Sequence, residues 1–468
     1  MMFNGGPTQL PHLDPNAIRT MFSRAMSALY RDEVPAYGTL LDLVRKVNDA
    51  TLQANPSDRV RLEKLGELDR ISEERHGAIR LGTAQELATM RRLFAVMGMY
   101  PVGYYDLSVA GVPVHSTAFR PLDDAALNAN PFRVFTSLLR LDLIEDANLR
   151  KEAQEVLVAR QIFNPGCLEK IKLAETQGGL TAEEAEVFVA EALETFRWHP
   201  EANVDYPLYE RLHAAHRLVA DVVAFKGPHI NHLTPRTLDI DSVQRLMPEQ
   251  SIAPKAVIEG PPSRAVPILL RQTSFKALEE PVSYSDGTTT VAGSHTARFG
   301  EIEQRGIALT PKGQALYDKL LSQTREIVRP AADGSNAAEY MKTLALVFEE
   351  FPDDVETIRT QGLGYFRYSA TGKASSDADL TLPPSELVAR GLLRADPIIY
   401  EDFLPVSAAG IFQSNLGDDD AHAFAANPNR DRFEADLGAP VVELHQRYAE
   451  AEAASIARAR SVLGRAHA

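Results

Sequence analysis

Apolar residues recur at helical spacing from Asn16 to about Ser72, as in Ile18, Met21, Phe22, Met26 and Leu29, then Leu40, Leu41, Leu43, Val44 and Val47. This periodicity predicts a helical N-terminal segment. At His76 the texture changes to a short strand-like run, His76-Gly77-Ala78-Ile79-Arg80-Leu81, followed by an amphipathic stretch from Ala84 to Met97 carrying Leu87, Met90, Leu93, Phe94 and Met97. Strands are expected at 103–109, 112–119 and 132–139. Helices return at 151–162, at 181–197 and at 206–225; Thr181 and Glu184 have the spacing of a capping box.

The strand texture reappears at His229-Ile230-Asn231-His232-Leu233-Thr234, then a short helix at 238–247, then extended segments at 256–260, 268–278, 288–292 and 296–309. Each half thus opens with a histidine-bearing strand, enters a helix ending near a methionine (Met97, Met247) and continues in β-structure. The repeat is one of pattern, since residue identity between the halves is low. Beyond Lys312 the chain reads as mainly helical, with a loop region at 395–417 and a helical tail from Ala439 to Arg465. The expected class is α+β, with two βαβββ-type modules making a curved, barrel-like sheet and helices packed outside it. The divisions are a helical segment 1–75, a β-rich module 76–145, a helical insertion 146–228, a second β-rich module 229–311 and a helical region 312–468.

At 468 residues, with 44% apolar and 24% charged residues, the chain has the composition of a globular protein large enough for more than one packed module. Its formal charge of −15 is spread along the sequence, and no compact Lys/Arg block offsets it. Nucleic acid is therefore not expected as a partner. An acidic surface also repels small anions, so an enzyme acting on a carboxylate would need a cationic group inside its pocket. Cys167 is the sole cysteine, which excludes an intramolecular disulfide or a multi-cysteine metal site. With no leader-like N-terminus and no apolar run of membrane-spanning length, the expected location is the cytoplasm. Oligomeric state is not legible.

Of the twelve histidines, His12, His199, His422, His445 and His467 lie in charged or terminal stretches and read as ordinary surface or core residues. His76 differs, because on a strand it shares a face with Ala78 and Arg80. Neutral imidazole can hold iron and guanidinium can hold a carboxylate, so the pair suits a metal-bound acid. A buried structural His–Arg face is the rival reading. His229 and His232, three residues apart, point to opposite faces of a regular strand, and His232, which runs into Leu-Thr and the following helix, is the counterpart of His76. In Arg298-Phe299-Gly300-Glu301-Ile302-Glu303-Gln304-Arg305-Gly306, carboxylates interrupt a strand-like run. Glu301 and Glu303 share a face, and either can complete a 2-His-1-carboxylate set, the donor arrangement of non-haem Fe(II) oxygenases.

The stretches Glu74–Arg80, Phe225–Thr234 and Arg298–Gly306 resemble the 2-oxoadipate dioxygenase/decarboxylase (2-hydroxyglutarate synthase) family, and the likeness runs over nearly the whole chain. That family is similar to the vicinal oxygen chelate superfamily, whose paired βαβββ modules enclose a metal. The resemblance implies Fe(II) held by His76, His232 and Glu301, and a substrate-binding Arg80. Related dioxygenases acting on aromatic 2-oxo acids share a Phe-x-Glu-aliphatic-x-Gln-Arg pattern, which favours Glu301 over Glu303. Leu404-Pro405-Val406-Ser407-Ala408-Ala409-Gly410 resembles the segment whose backbone meets substrate, implying Val406 and Ser407 as pocket residues. The implied reaction takes 2-oxoadipate and O2 to 2-hydroxyglutarate and CO2 in lysine breakdown, with no separate 2-oxoglutarate. Two alternatives stay open: a non-redox enzyme of the same superfamily using Zn(II), Ni(II) or Mn(II), and a binding protein without catalysis.

Overall fold

The computed structural model describes residues 11–275, 278–285, 287–331, 333–376, 379–404 and 429–465. The N-terminal periodicity becomes four helices, the first two at Pro15–Glu33 and Pro35–Ala54. Asp14 caps the first by accepting from the Asn16 amide, and proline at the first helical position has no N–H to leave unsatisfied.

Strand β1 (Arg75–Leu81) leads into the helix Ala84–Val96 and then into β2 (Tyr100–Asp106), β3 (Val114–Arg120) and β4 (Arg133–Leu139). This is the βαβββ order expected for the first module. Thr83 and Glu86 close a capping box that starts the helix sharply after β1. In the sheet the order is β2-β3-β4-β1-β5, with β1 parallel to β4 and antiparallel to the three-residue β5 (Leu233–Pro235). Ile79, Leu81, Val134 and Leu138 turn into a core shared with Leu87, Met90 and Phe94 of the helix and with Phe22 and Met26 of the first helix. Burying each such side chain contributes roughly 1.5–3 kcal/mol. Residues of opposite parity, His76, Ala78 and Arg80 of β1 with Phe135 and Ser137 of β4, line a cavity on the other face.

The second module departs from the expected pattern. After β5 and the helix Ile240–Leu246 come β6 (Leu270–Ser274), β7 (Glu279–Ser285), β8 (Thr290–Thr296) and β9 (Glu301–Arg305). β6 pairs antiparallel with β9, and an isolated parallel bridge, Arg236 to Glu303, joins β9 to the end of β5. The β7–β8 hairpin pairs only with itself as a sheet and is an addition to the repeat. The expected strand at 256–260 is reduced to a bridge between Glu259 and Gln272. The sheets do not close into a barrel among the described residues; β1–β5 pairing and the Arg236–Glu303 bridge link the five-stranded sheet to the β6–β9 pair.

The segment expected to form a strand at 229–234 is regular only from Leu233. Its backbone is nonetheless fixed, because the Ile230 amide donates to Phe196 O, the Asn231 amide to Ala78 O, and Asn231 O accepts from the Phe299 amide and the Tyr30 hydroxyl. These partners come from four separate elements, which no ladder supplies. Among the later described residues, a hairpin of β10 (Phe366–Ala370) and β11 (Leu393–Pro397) interrupts the expected helices and packs on the long helix Leu444–Arg465. No helix among the described residues is long and apolar enough to cross a membrane.

Candidate active site

His76 lies at the start of β1, His232 immediately before β5 and Glu301 at the start of β9. Two glycines let these three segments approach. A Cβ on Gly77 would stand 2.4 Å from Ile230 Cδ1 and 3.2 Å from the His232 carbonyl oxygen, and one on Gly300 would stand 1.9 Å from the Phe275 ring. The His76-Gly77 and Gly300-Glu301 pairs thus place each polar side chain beside a position that only glycine can fill.

The donor atoms of His76, His232 and Glu301 all lie within 4.8 Å of one another. Two donors on opposite sides of one first-row ion stand roughly 4 Å apart. His76 Nε2 is 3.0 Å from Glu301 Oε1, and the Thr234 hydroxyl donates to the same oxygen at 3.0 Å. Gln272 Nε2 donates to the other oxygen at 3.3 Å. Burial alone would raise the Glu301 carboxyl, but His232, His76 and Thr234 hold it below the usual range. Burial pushes the His232 imidazole down to about 4, so it is neutral at neutral pH. Neither of its ring nitrogens has a hydrogen-bond partner among the described residues. A buried imidazole in that state is costly unless something else takes its lone pair. A metal ion fits this donor set: two histidines and a carboxylate, one histidine neutral and unpartnered.

Glu303 falls on the same strand face as Glu301 but serves the opposite edge of His76, its Oε2 lying 2.9 Å from Nδ1. Arg305 grips it at 2.7 and 2.8 Å. A carboxylate behind a ligating imidazole fixes the ring's orientation and raises its basicity.

The cavity in front of the three donors is walled by Tyr105, Phe135, Phe299, Phe403 and Leu404, and among the described residues Arg80 is the one arginine or lysine lining it. The predicted alignment of Arg80 with His76 therefore holds. Its partner was not foreseen: Nη1 donates to Asp221 Oδ2 at 2.7 Å, whereas Glu73 meets Arg24 and Glu74 meets Arg133 and Arg236. His229, set apart from His232, lies 3.3 Å from Asp221 Oδ1. Asp221, Gln272 and Thr234 carried no local sequence signal, since each acquires its role from a residue dozens of positions away. Val406 and Ser407 lie outside the described residues.

A His/His/Glu group that could hold a metal ion, opening on an apolar cavity that has one cation among its described lining residues, marks the class as a mixed α+β protein with a candidate metal site. The sequence profile of the 2-oxoadipate dioxygenase/decarboxylase family matches residues 22–415, and the chain belongs to that family. It is 57% identical over 447 residues to the 2-oxoadipate dioxygenase/decarboxylase of Pseudomonas putida, covering 95% of this chain and 96% of the relative. It is 58% identical over 438 residues to that of Escherichia coli, covering 93% and 96%. The crystal structure of the Pseudomonas putida hydroxyglutarate synthase in complex with 2-oxoadipate superposes with a TM-score of 0.87 at 53% identity, covering 97% of this chain and 99% of that one.

Proposed function

We propose that this chain is an Fe(II)-dependent dioxygenase that converts 2-oxoadipate and O2 to 2-hydroxyglutarate and CO2, with His76, His232 and Glu301 as the metal ligands. The observation that carries the reading is His232, neutral and without a hydrogen-bond partner among the described residues, beside Glu301 at the wall of a cavity where Arg80 is the one cation among the described residues. The substrate class is supported by relatives that bear this activity in their names and by the relative solved with 2-oxoadipate. The reaction balances without a co-substrate: both atoms of O2 and all the carbon of 2-oxoadipate appear in 2-hydroxyglutarate and CO2.

Fe(II) bound here would supply chelation of the 2-oxo acid and one-electron access to O2. The residues do the rest. Glu301, held ionised by its hydrogen bonds, and His232, held neutral by burial, present lone pairs at neutral pH. Glu303 steadies His76 from behind. Arg80 receives the distal carboxylate of the substrate, which would otherwise enter an apolar cavity unpaired. Phe135, Phe299 and Phe403 keep water from the reacting end. We carry Val406 and Ser407 over as substrate-contacting residues, assign modules 76–145 and 229–311 to a duplicated vicinal-oxygen-chelate-type enclosure, and place the enzyme in lysine breakdown in the cytoplasm.

The test is anaerobic reconstitution with Fe(II), followed by O2 and 2-oxoadipate. Equal amounts of O2 consumed, CO2 released and 2-hydroxyglutarate formed are expected without added 2-oxoglutarate, and none with His76→Ala or His232→Ala. A requirement for 2-oxoglutarate, or turnover without O2 uptake, contradicts the proposal.

A further inference from the structure

Behind Arg80, and outside the cavity lining, Asp221 gathers contacts from several elements that are far apart in sequence. It lies on the helix Arg217–Ala224, whose residues from Leu218 onward are all buried. One carboxylate oxygen accepts from Arg80 Nη1 on β1 at 2.7 Å. The other is 3.0 Å from His295 Nε2 on β8 and 3.3 Å from His229 Nε2. His295 is itself fixed at its far nitrogen, 2.9 Å from the Tyr209 hydroxyl, and the Trp198 ring lies parallel to its own. Leu218, one turn before Asp221, lines the cavity.

An arginine reaching into a cavity has many rotamers, and its value as a carboxylate receptor depends on holding its planar fork in one direction. Asp221 takes one guanidinium N–H of Arg80, a cavity-lining residue, and no other described residue accepts a hydrogen bond from that guanidinium. The His295 imidazole, hydrogen-bonded to Asp221 and fixed in turn by Tyr209, holds Asp221 against the pull of substrate binding, with His229 close beside it. A lone aspartate on a mobile side chain would instead compete with the substrate for Arg80.

We propose that Asp221, anchored by His295, is the positioning residue for the distal carboxylate of the substrate, so that the helical insertion 146–228 and the β7–β8 hairpin together set the preference for a dicarboxylate. This rests on the reading of Arg80 as the receptor of that carboxylate. The hairpin, which the repeat does not require, supplies His295; the insertion supplies Asp221 and Tyr209.

The experiment compares kcat and KM for 2-oxoadipate and for 2-oxohexanoate, a monocarboxylate of the same chain length, in wild type, Asp221→Asn, Arg80→Met and the double variant, all iron-reconstituted. Asp221→Asn is expected to raise KM for 2-oxoadipate roughly ten- to a hundredfold, the weight of one charge-assisted contact, with kcat and both 2-oxohexanoate constants within about twofold of wild type. In the Arg80→Met background it should add no further selective loss. A merely structural Asp221 would lower thermal stability, or affect both substrates alike, and either pattern without a selective KM change overturns the proposal. If Arg80→Met itself loses both substrates equally, the receptor reading fails; if only Asp221→Asn lacks selectivity, that reading stands and this inference falls. Should Asp221→Asn not fold, His295→Leu decides, with a selective KM rise of about three- to tenfold expected and no selective change contradicting the proposal.

Discussion

On one side of His76, Glu74, Glu303 and Glu401 interleave with Arg70, Arg133, Arg236 and Arg305 in a fully enclosed cluster. Glu74 accepts from Arg133 at 2.9 Å and from Arg236 at 3.0 Å, Arg133 reaches Glu401 at 2.6 Å, and Arg70 reaches Glu401 at 2.8 Å. On the other side Glu301 is buried and the His232 side chain is 12% exposed, yet His232 has no hydrogen-bond partner among the described residues. Both regions take ionisable groups out of water, at a cost that only good partners offset. In the first every carboxylate meets at least one guanidinium, and the atoms left without a partner, Nε of Arg70, Arg133 and Arg236, are N–H donors; in the second the atoms left over are the imidazole nitrogens of His232, one of which carries a lone pair. What separates a structural cluster from a candidate metal site in this molecule is therefore the kind of bonding capacity left over, guanidinium N–H on one side and an imidazole lone pair on the other, not burial or charge.

The comparison is challenged most strongly by removing a charge from the closed side. Glu74→Gln leaves several buried guanidinium groups under-neutralised and is expected to destabilise the fold by about 3–5 kcal/mol, read by denaturant titration, while a folded variant still binds one metal ion per chain. A loss below about 1 kcal/mol would show that the cluster is not what holds this side together.

His115 on β3 sharpens the contrast, since it is buried without a carboxylate paired to it among the described residues. Burial, with Arg140 nearby, pushes its imidazole down to about 4. In the unfolded chain it takes a proton near pH 6.5, and in the fold only near 4. Stability present above pH 6.5 is thus lost as the pH falls toward 4, by an amount on the order of 3 kcal/mol. His115→Leu should flatten that part of the stability–pH curve, and an unchanged slope would remove His115 from the account.

The periodicity of β1 was enough to put His76 and Arg80 on one face, because a strand's side-chain alternation is local and the helix-starting Thr83–Glu86 box fixes where β1 ends. The βαβββ order of the first module was legible for the same reason. At His229 and His232 the alternation argument has no regular strand to act on; their different surroundings come from backbone hydrogen bonds to Phe196, Ala78 and Phe299. Strand β7 was hidden because Glu280 takes an inward position, satisfied by Arg298, and Pro281 breaks the β-like composition. Asp221 was invisible as Arg80's partner because 141 residues separate them. The choice between Glu301 and Glu303 rested on resemblance, since strand parity places both on one face; the structure sets them at opposite edges of the same imidazole.

That last pair lies where the open and closed regions meet, and it provides the most direct test. Under anaerobic conditions, Fe(II) binding is measured by competition with a chelator for wild type, Glu301→Gln and Glu303→Gln. Wild type is expected to bind one ion per chain, Glu301→Gln to show no more binding than His232→Ala, and Glu303→Gln to retain a stoichiometric site weakened about 10- to 100-fold, as for loss of a group that orients a ligand. Abolished binding in Glu303→Gln with a stoichiometric ion kept in Glu301→Gln would contradict the account.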